Sequence, residues 1–151
     1  MTLSIGALVR VTSVVVLLLA QAACSSSSDS GTSGPGAETP ACGAGRTIVL
    51  EGTLDGKPVA QTLMTQGYFL DQLSTPKSAN VPFDGGKMNL GWTSIVADGA
   101  SAPLTSGVLQ LPGETSAHVA NSGTITMGTD ELRATLTFAN GKIGACLSRT
   151  K

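Results

Sequence analysis

Aromatic side chains are scarce in this sequence: three Phe, one Tyr and one Trp in 151 residues. Sugar platforms and barrel pockets draw their area and shape from several rings, so recognition by an aromatic stripe is disfavoured. Histidine occurs once, at His118, and no His, Cys, Asp and Glu stand at metal-ligand spacing. No metal ligand and no cofactor site is therefore expected. Positive charge is equally thin. From Cys24 onward eight Lys and Arg stand against ten Asp and Glu. Such a balance offers no basic field to gather phosphates, which excludes nucleic acid as an expected partner. Helical periodicity is missing too. After residue 40, Gly and Pro interrupt nearly every candidate helix, which argues against a helical domain.

What remains divides into three zones. Residues 1–23 are almost wholly apolar, with Arg10 as the only charge. Residues 24–40 are a Ser, Gly, Thr, Asp and Pro stretch without one large apolar side chain. Such a composition makes a disordered, flexible tether and cannot bury a core. Residues 41–151 are of a common size for a single compact domain.

The first zone has the parts of an export signal. Arg10 supplies the charge, Val11 to Ala20 the apolar run, and Gln21-Ala22-Ala23-Cys24 follows. This tetrapeptide resembles the lipobox of bacterial lipoproteins. The resemblance covers the first 24 residues, and the Ser/Gly spacer after Cys24 fits it. It implies that 1–23 is a lipoprotein signal peptide, that the chain is cut before Cys24, and that lipid on the Cys24 thiol attaches the product to a membrane. Gln21 stands where the family usually has Leu or another aliphatic residue. Ala20-Gln21-Ala22 also satisfies the A-x-A rule of ordinary signal cleavage, so a soluble secreted product and an uncleaved helical anchor remain open readings. Ser25 after the cysteine resembles lipoproteins sent on to an outer membrane, so the expected location is the cell envelope, on the outer membrane in a Gram-negative organism. Three cysteines would leave an odd thiol in an oxidising compartment. With lipid on Cys24, Cys42 and Cys146 remain as one pair, expected to form a disulfide.

The third zone reads as all-β. Short runs rich in Thr, Val, Ile and Leu recur between turn dipeptides. They place strands at Thr47–Leu54, Val59–Thr65, Gly67–Leu73, Lys87–Ala97, Gly107–Leu111, Gly123–Gly128, Glu131–Ala139 and Lys142–Arg149. Eight short strands suggest an antiparallel β-sandwich or a small eight-stranded barrel. A Cys42–Cys146 bridge would bring the two ends of the domain together. Asn140-Gly141 is a type I′ hairpin signal. With that turn Phe138 pairs with Ile143, Leu136 with Ala145 and Ala134 with Leu147, and all six face the core. Thr135, Thr137, Cys146 and Ser148 take the other face. For the first hairpin, a two-residue Asp55-Gly56 turn puts Pro58 opposite Thr53. A four-residue loop from Asp55 to Pro58 matches Leu54 with Val59 and Leu50 with Leu63, and is preferred on apolar matching.

Catalytic signatures are fragmentary. Ser74-Thr75-Pro76-Lys77 has S-x-x-K spacing, but that motif opens a helix in a larger domain, and Pro76 favours a turn. Gly99-Ala100-Ser101-Ala102-Pro103 lacks the final Gly of a nucleophile elbow, and Gly86-Lys87 lacks the flanks of a phosphate loop. A role for His118 would need a Ser or Asp brought to it by folding. No catalytic residue is assigned. Trp92 is the one candidate ligand contact, set against the more common fate of a lone Trp in the core. Three functions follow in order. The first is a non-enzymatic envelope module, structural or binding another envelope protein. The second is a small-ligand carrier with an apolar barrel interior, and the third an envelope enzyme built on His118.

Overall fold

The computed structural model describes residues 39–148. The leader 1–23, Cys24, the spacer as far as residue 38, and residues 149–151 lie outside the described residues. Eleven strands follow in order: β1 (Thr47–Leu54), β2 (Lys57–Met64), β3 (Phe69–Asp71), β4 (Lys77–Phe83), β5 (Gly86–Trp92), β6 (Ser101–Pro103), β7 (Ser106–Gln110), β8 (His118–Val119), β9 (Ser122–Met127), β10 (Glu131–Phe138) and β11 (Gly141–Ser148). No helix occurs among the described residues.

The strands form two antiparallel sheets. One runs β2-β1-β11-β10-β9-β6 and the other β3-β4-β5-β7-β8. The architecture is a sandwich and not a closed barrel. A single bridge, Thr65 to Phe83, carries the end of β2 across to β4. The chain crosses again at Thr105, whose N–H donates to Gly91 O, and at Asn121, whose N–H donates to Thr137 O. The first strand and the last are neighbours, β1 against β11.

Alternation of side chains explains the core. In the larger sheet one inward row reads Gln61, Leu50, Ala145, Ala134, Ile125 and Ala102 across six strands. In the smaller sheet Leu70, Ala79, Leu90 and Gly107 form a row, beside Val81, Met88 and Leu109. Small residues on one strand leave room for large ones opposite. Gly107 shows this directly, since a Cβ there would run into the Leu136 side chain from the other sheet.

The eight expected strand positions all carry strands, β1 with the expected bounds and the others with altered ends. The strand expected at Gly67–Leu73 shrinks to β3, because the Asp71 carboxylate takes the N–H groups of Leu73 and Ser74 and turns the chain. The one expected at Lys87–Ala97 stops at Trp92. Beyond it Val96 is held by the Gln72 amide, which bonds both its N–H (3.0 Å) and its carbonyl (3.3 Å) in place of a strand. Three strands, β4, β6 and β8, were not expected. β4 alternates cleanly, with Lys77, Ala79, Val81 and Phe83 buried. Pro82 obscures it in the sequence, yet sits beyond the reach of β3, and its carbonyl accepts from Gln66 N–H.

Both hairpin registers differ from expectation by two residues. The first hairpin uses a two-residue turn, Asp55 at φ 50° and Gly56 at φ 74°, with Leu54 opposite Lys57 and Leu50 opposite Gln61. Two successive positive φ angles are the type I′ geometry, whose twist suits paired strands. It prevails over the apolar matching of the four-residue loop, and leaves Gln61 Oε1 buried without a partner. Pro58 lies opposite Thr53 on the edge strand β2, where a missing donor is tolerated. In the last hairpin the turn is Ala139-Asn140, so Phe138 faces Gly141, Leu136 faces Ile143, Ala134 faces Ala145 and Leu132 faces Leu147. Neither turn residue has positive φ. Gly141 is drawn into the ladder opposite Leu54, where a Cβ would strike Thr53 O. Close approach to β1 uses this glycine, not the turn.

A shift of two preserves which side chains share a face. Ala134, Leu136, Phe138, Ile143, Ala145 and Leu147 are all buried as expected, while Thr135 and Thr137 lie on the outer face. Leu136→Ala is therefore expected to cost about 2–5 kcal/mol, as a large-to-small core change does. Thr137→Ala should cost well under half of that, and urea unfolding of the two variants makes the comparison. Equal losses would mean that the faces are misassigned.

Candidate functional site

The densest polar cluster lies where the chain enters the domain. Cys42 and Cys146 sit at disulfide-bonding distance, with Cα atoms 4.9 Å apart and a sequence separation of 104. Cys146 is fully buried on the outer side of β11, where Cys42 is bonded to it and the Pro40 carbonyl is held by Arg133. Arg133 stands directly opposite Cys146 on β10. Its guanidinium grips Glu131, Nε donating to Oε1 at 2.6 Å and Nη2 to Oε2 at 3.1 Å. Its Nη1 donates to the Pro40 carbonyl at 3.3 Å. Glu131 Oε2 in turn lies 4.0 Å from Cys146 Sγ. Arg133 beside Glu131 lowers the carboxyl pKa, and Glu131 raises that of the guanidinium. A further bond, Thr47 Oγ1 to Ala44 O, fastens the segment beyond Cys42.

The sequence reading paired Cys42 with Cys146 and assigned no metal ligand. It missed Glu131 and Arg133, and the reason is the register. With Leu136 opposite Ala145, Thr135 would have faced Cys146. In the fold Arg133 does, and Glu131 two residues along shares its face. Cys42, Cys146 and Glu131 offer two sulfurs and a carboxylate oxygen within 4.8 Å of one another.

His118 forms a second cluster. It lies on β8 opposite Leu109, on the inward side of the smaller sheet. Nε2 is 3.0 Å from Glu114 Oε2 and Nδ1 is 3.6 Å from Asp55 Oδ2. Its ring stands edge-on to Phe138, centroids 6.2 Å apart. Asp55 belongs to the β1–β2 turn, so His118 links the two sheets across their open edge. Folding brings an aspartate to it, as a catalytic role would need. Both ring nitrogens face carboxylates, Glu114 and Asp55, an arrangement that fastens a loop. A nucleophile would need one ring nitrogen on a hydroxyl.

The remaining candidates fall into structural roles. Trp92 is completely buried on the inward face of β5, and its Nε1 has no hydrogen-bond partner. It is a core residue and not an exposed contact. In the S-x-x-K segment the Lys77 ammonium donates to the Ser74 carbonyl at 2.9 Å, while the Ser74 hydroxyl bonds Asp71. The ammonium is thus engaged by a backbone carbonyl and the hydroxyl by a carboxylate. Ser101 shares a hydrogen bond of 2.6 Å with Thr126 across β6 and β9. Lys87 stands in the β5 ladder opposite Gln110. Cys24 lies outside the described residues.

No known protein family, curated protein or solved structure matches the chain.

Two expectations follow. Native protein treated with an alkylating reagent should leave Cys42 and Cys146 unlabelled until reductant is added, as peptide mass spectrometry will show. Opening the bond should lower stability by about 4–5 kcal/mol on the chain-entropy model for a loop of this length. Quantitative labelling without reductant would overturn the pairing. The second concerns acid. Glu131 has a folded pKa below its ordinary value of 4.5. The stability it lends is present above that value and is lost as pH falls through the lowered folded pKa. Glu131→Gln should therefore be less stable than wild type at neutral pH, with the gap closing below pH 4.5. A gap that is constant with pH would exclude the ion pair as its source.

Proposed function

We propose that this chain is a lipid-anchored cell-envelope protein whose β-sandwich acts as a non-enzymatic structural or protein-interaction module. The observation that carries the reading is the partition of the three cysteines. Cys42 and Cys146 account for each other, and the cysteine left over is Cys24, in the lipobox-like Gln21-Ala22-Ala23-Cys24. Attachment through lipid on Cys24 gives that residue a purpose and leaves no stray thiol.

The entry point of the chain supports the same reading. Pro40 ends the Ser/Gly spacer, and its carbonyl is held by Arg133. The domain thus begins where the tether stops, and load on the tether passes to β11 through Cys42. The outer face of β9 and β10 supports a role in contact, with Thr124 opposite Thr135 and Ser122 opposite Thr137 in a hydroxyl-bearing patch bordered by Lys142 and Arg133. Burial of Trp92 beside Leu90 and Met88 in the core supports a module over a small-ligand carrier, since a lumen would need to reach that ring. Stable anchoring takes two or more acyl chains, whereas one binds reversibly. A diacylglycerol on Cys24 meets that requirement, with the outer membrane as the expected site in a Gram-negative organism.

Metabolic labelling with a fatty-acid analogue tests the anchor. Wild type should carry the label and fractionate with membranes. Cys24→Ser should lose the label, leaving either unprocessed precursor held by its leader or soluble product. Wild-type protein without label would replace this reading with that of a soluble secreted domain.

A further inference from the structure

The cluster at the domain entrance holds more chemistry than a staple requires. A disulfide needs only two sulfurs in range. Here a carboxylate is added, Glu131, held in place by the Arg133 fork and set 4.0 Å from Cys146 Sγ. The two sulfurs and the oxygen lie within 4.8 Å of one another. Zinc–sulfur bonds near 2.3 Å and zinc–oxygen bonds near 2.1 Å put the ligands of one tetrahedral ion within about 4 Å of each other. The Glu131 oxygen already lies at about that distance from Cys146 Sγ, and the two sulfurs reach it by moving apart once the bond between them is broken.

We propose that Cys42, Cys146 and Glu131 form a redox-gated site for a thiophilic divalent cation of the zinc class, open when the disulfide is reduced and closed when it is formed. Opening consumes two electrons and two protons from a dithiol donor, which leaves as its own disulfide. The cation then displaces the two thiol protons and binds both thiolates together with the Glu131 carboxylate, with water in the fourth position. Charge closes as well. Two thiolates and one carboxylate are balanced by the divalent ion and Arg133, so a partly buried site carries no net charge.

The site does not depend on the disulfide to stay assembled. Cys146 is fixed in a central strand, between β1 and β10. Cys42 lies between two anchored points, Pro40 on Arg133 and Ala44 on Thr47. Arg133 also plays the part of an outer-shell partner that orients a ligating carboxylate. The proposal is independent of the lipid anchor, so the test removes the third thiol.

Full-length chain carrying Cys24→Ser is reduced with a phosphine, freed of reductant without air, and titrated with Co²⁺ alone. The reduced protein should bind one ion with the ultraviolet charge-transfer absorption of thiolate–cobalt bonds, and the oxidised protein should show none. Glu131→Gln should weaken binding by about tenfold or more. X-ray absorption of the zinc-loaded form should resolve two sulfur and additional oxygen neighbours. This second measurement serves where the variant does not fold. Absent charge transfer in the reduced protein, equal affinity in Glu131→Gln, or an all-sulfur or all-oxygen shell would each overturn the site.

Discussion

The pairing of β1 with β11 is the constraint on which the rest of the sandwich depends. It joins the two ends of the domain side by side in the middle of the six-stranded sheet, seven residue pairs long from Ile48–Leu147 to Leu54–Gly141. Contacts between residues so distant in sequence are entropically costly to close. The chain offsets that cost with Cys42 and Cys146, which join the same two ends just outside the ladder. Once β1 and β11 are together, each brings a hairpin partner, β2 on one side and β10 on the other. The second sheet then packs over the apolar face so formed, with Leu136 seated on Gly107.

The same pairing places the polar cluster. On the outer side of β11 Cys146 is bonded to Cys42 of the entering chain and buried. The guanidinium of Arg133 reaches from β10 to the Pro40 carbonyl, while still gripping Glu131. Structural fastening and metal-type donors thus arise from one arrangement. His118 does comparable work at the open edge, tying Glu114 of one loop to Asp55 of the β1–β2 turn. Two polar clasps, Arg133 on Glu131 and His118 between two carboxylates, hold the chain entrance and the β1–β2 turn.

Much of the fold was legible in the sequence because period-two alternation is a local property. Which residues share a face follows from parity alone, and parity survives a register shift of two. The core-facing residues expected on β10 and β11 are therefore buried although each pairing was displaced, while Cys146 and Ser148 on the other face of β11 are buried as well. β4 was not legible, since Asn80 and Pro82 mask its alternation and only the short reach of β3 makes Pro82 acceptable. For the site, the cysteine pair could be expected once the lipobox resemblance set Cys24 aside, whereas Glu131 and Arg133 could not be. Their place beside Cys146 depends on the very register that local rules misjudged.

By itself the sequence determined that the domain is all-β and which residues face its core on the last hairpin. Each of these rests on composition or alternation, and neither requires knowing a distant neighbour. Tertiary structure alone decided the registers, the sandwich over the barrel, and the assembly of Glu131 and Arg133 at the bridge. The physical reason is visible at Gly141. Its lack of a side chain is used to let β1 approach to where Thr53 O would strike a Cβ. That contact lies nearly ninety positions away in the chain, beyond anything an Asn-Gly turn signal can report.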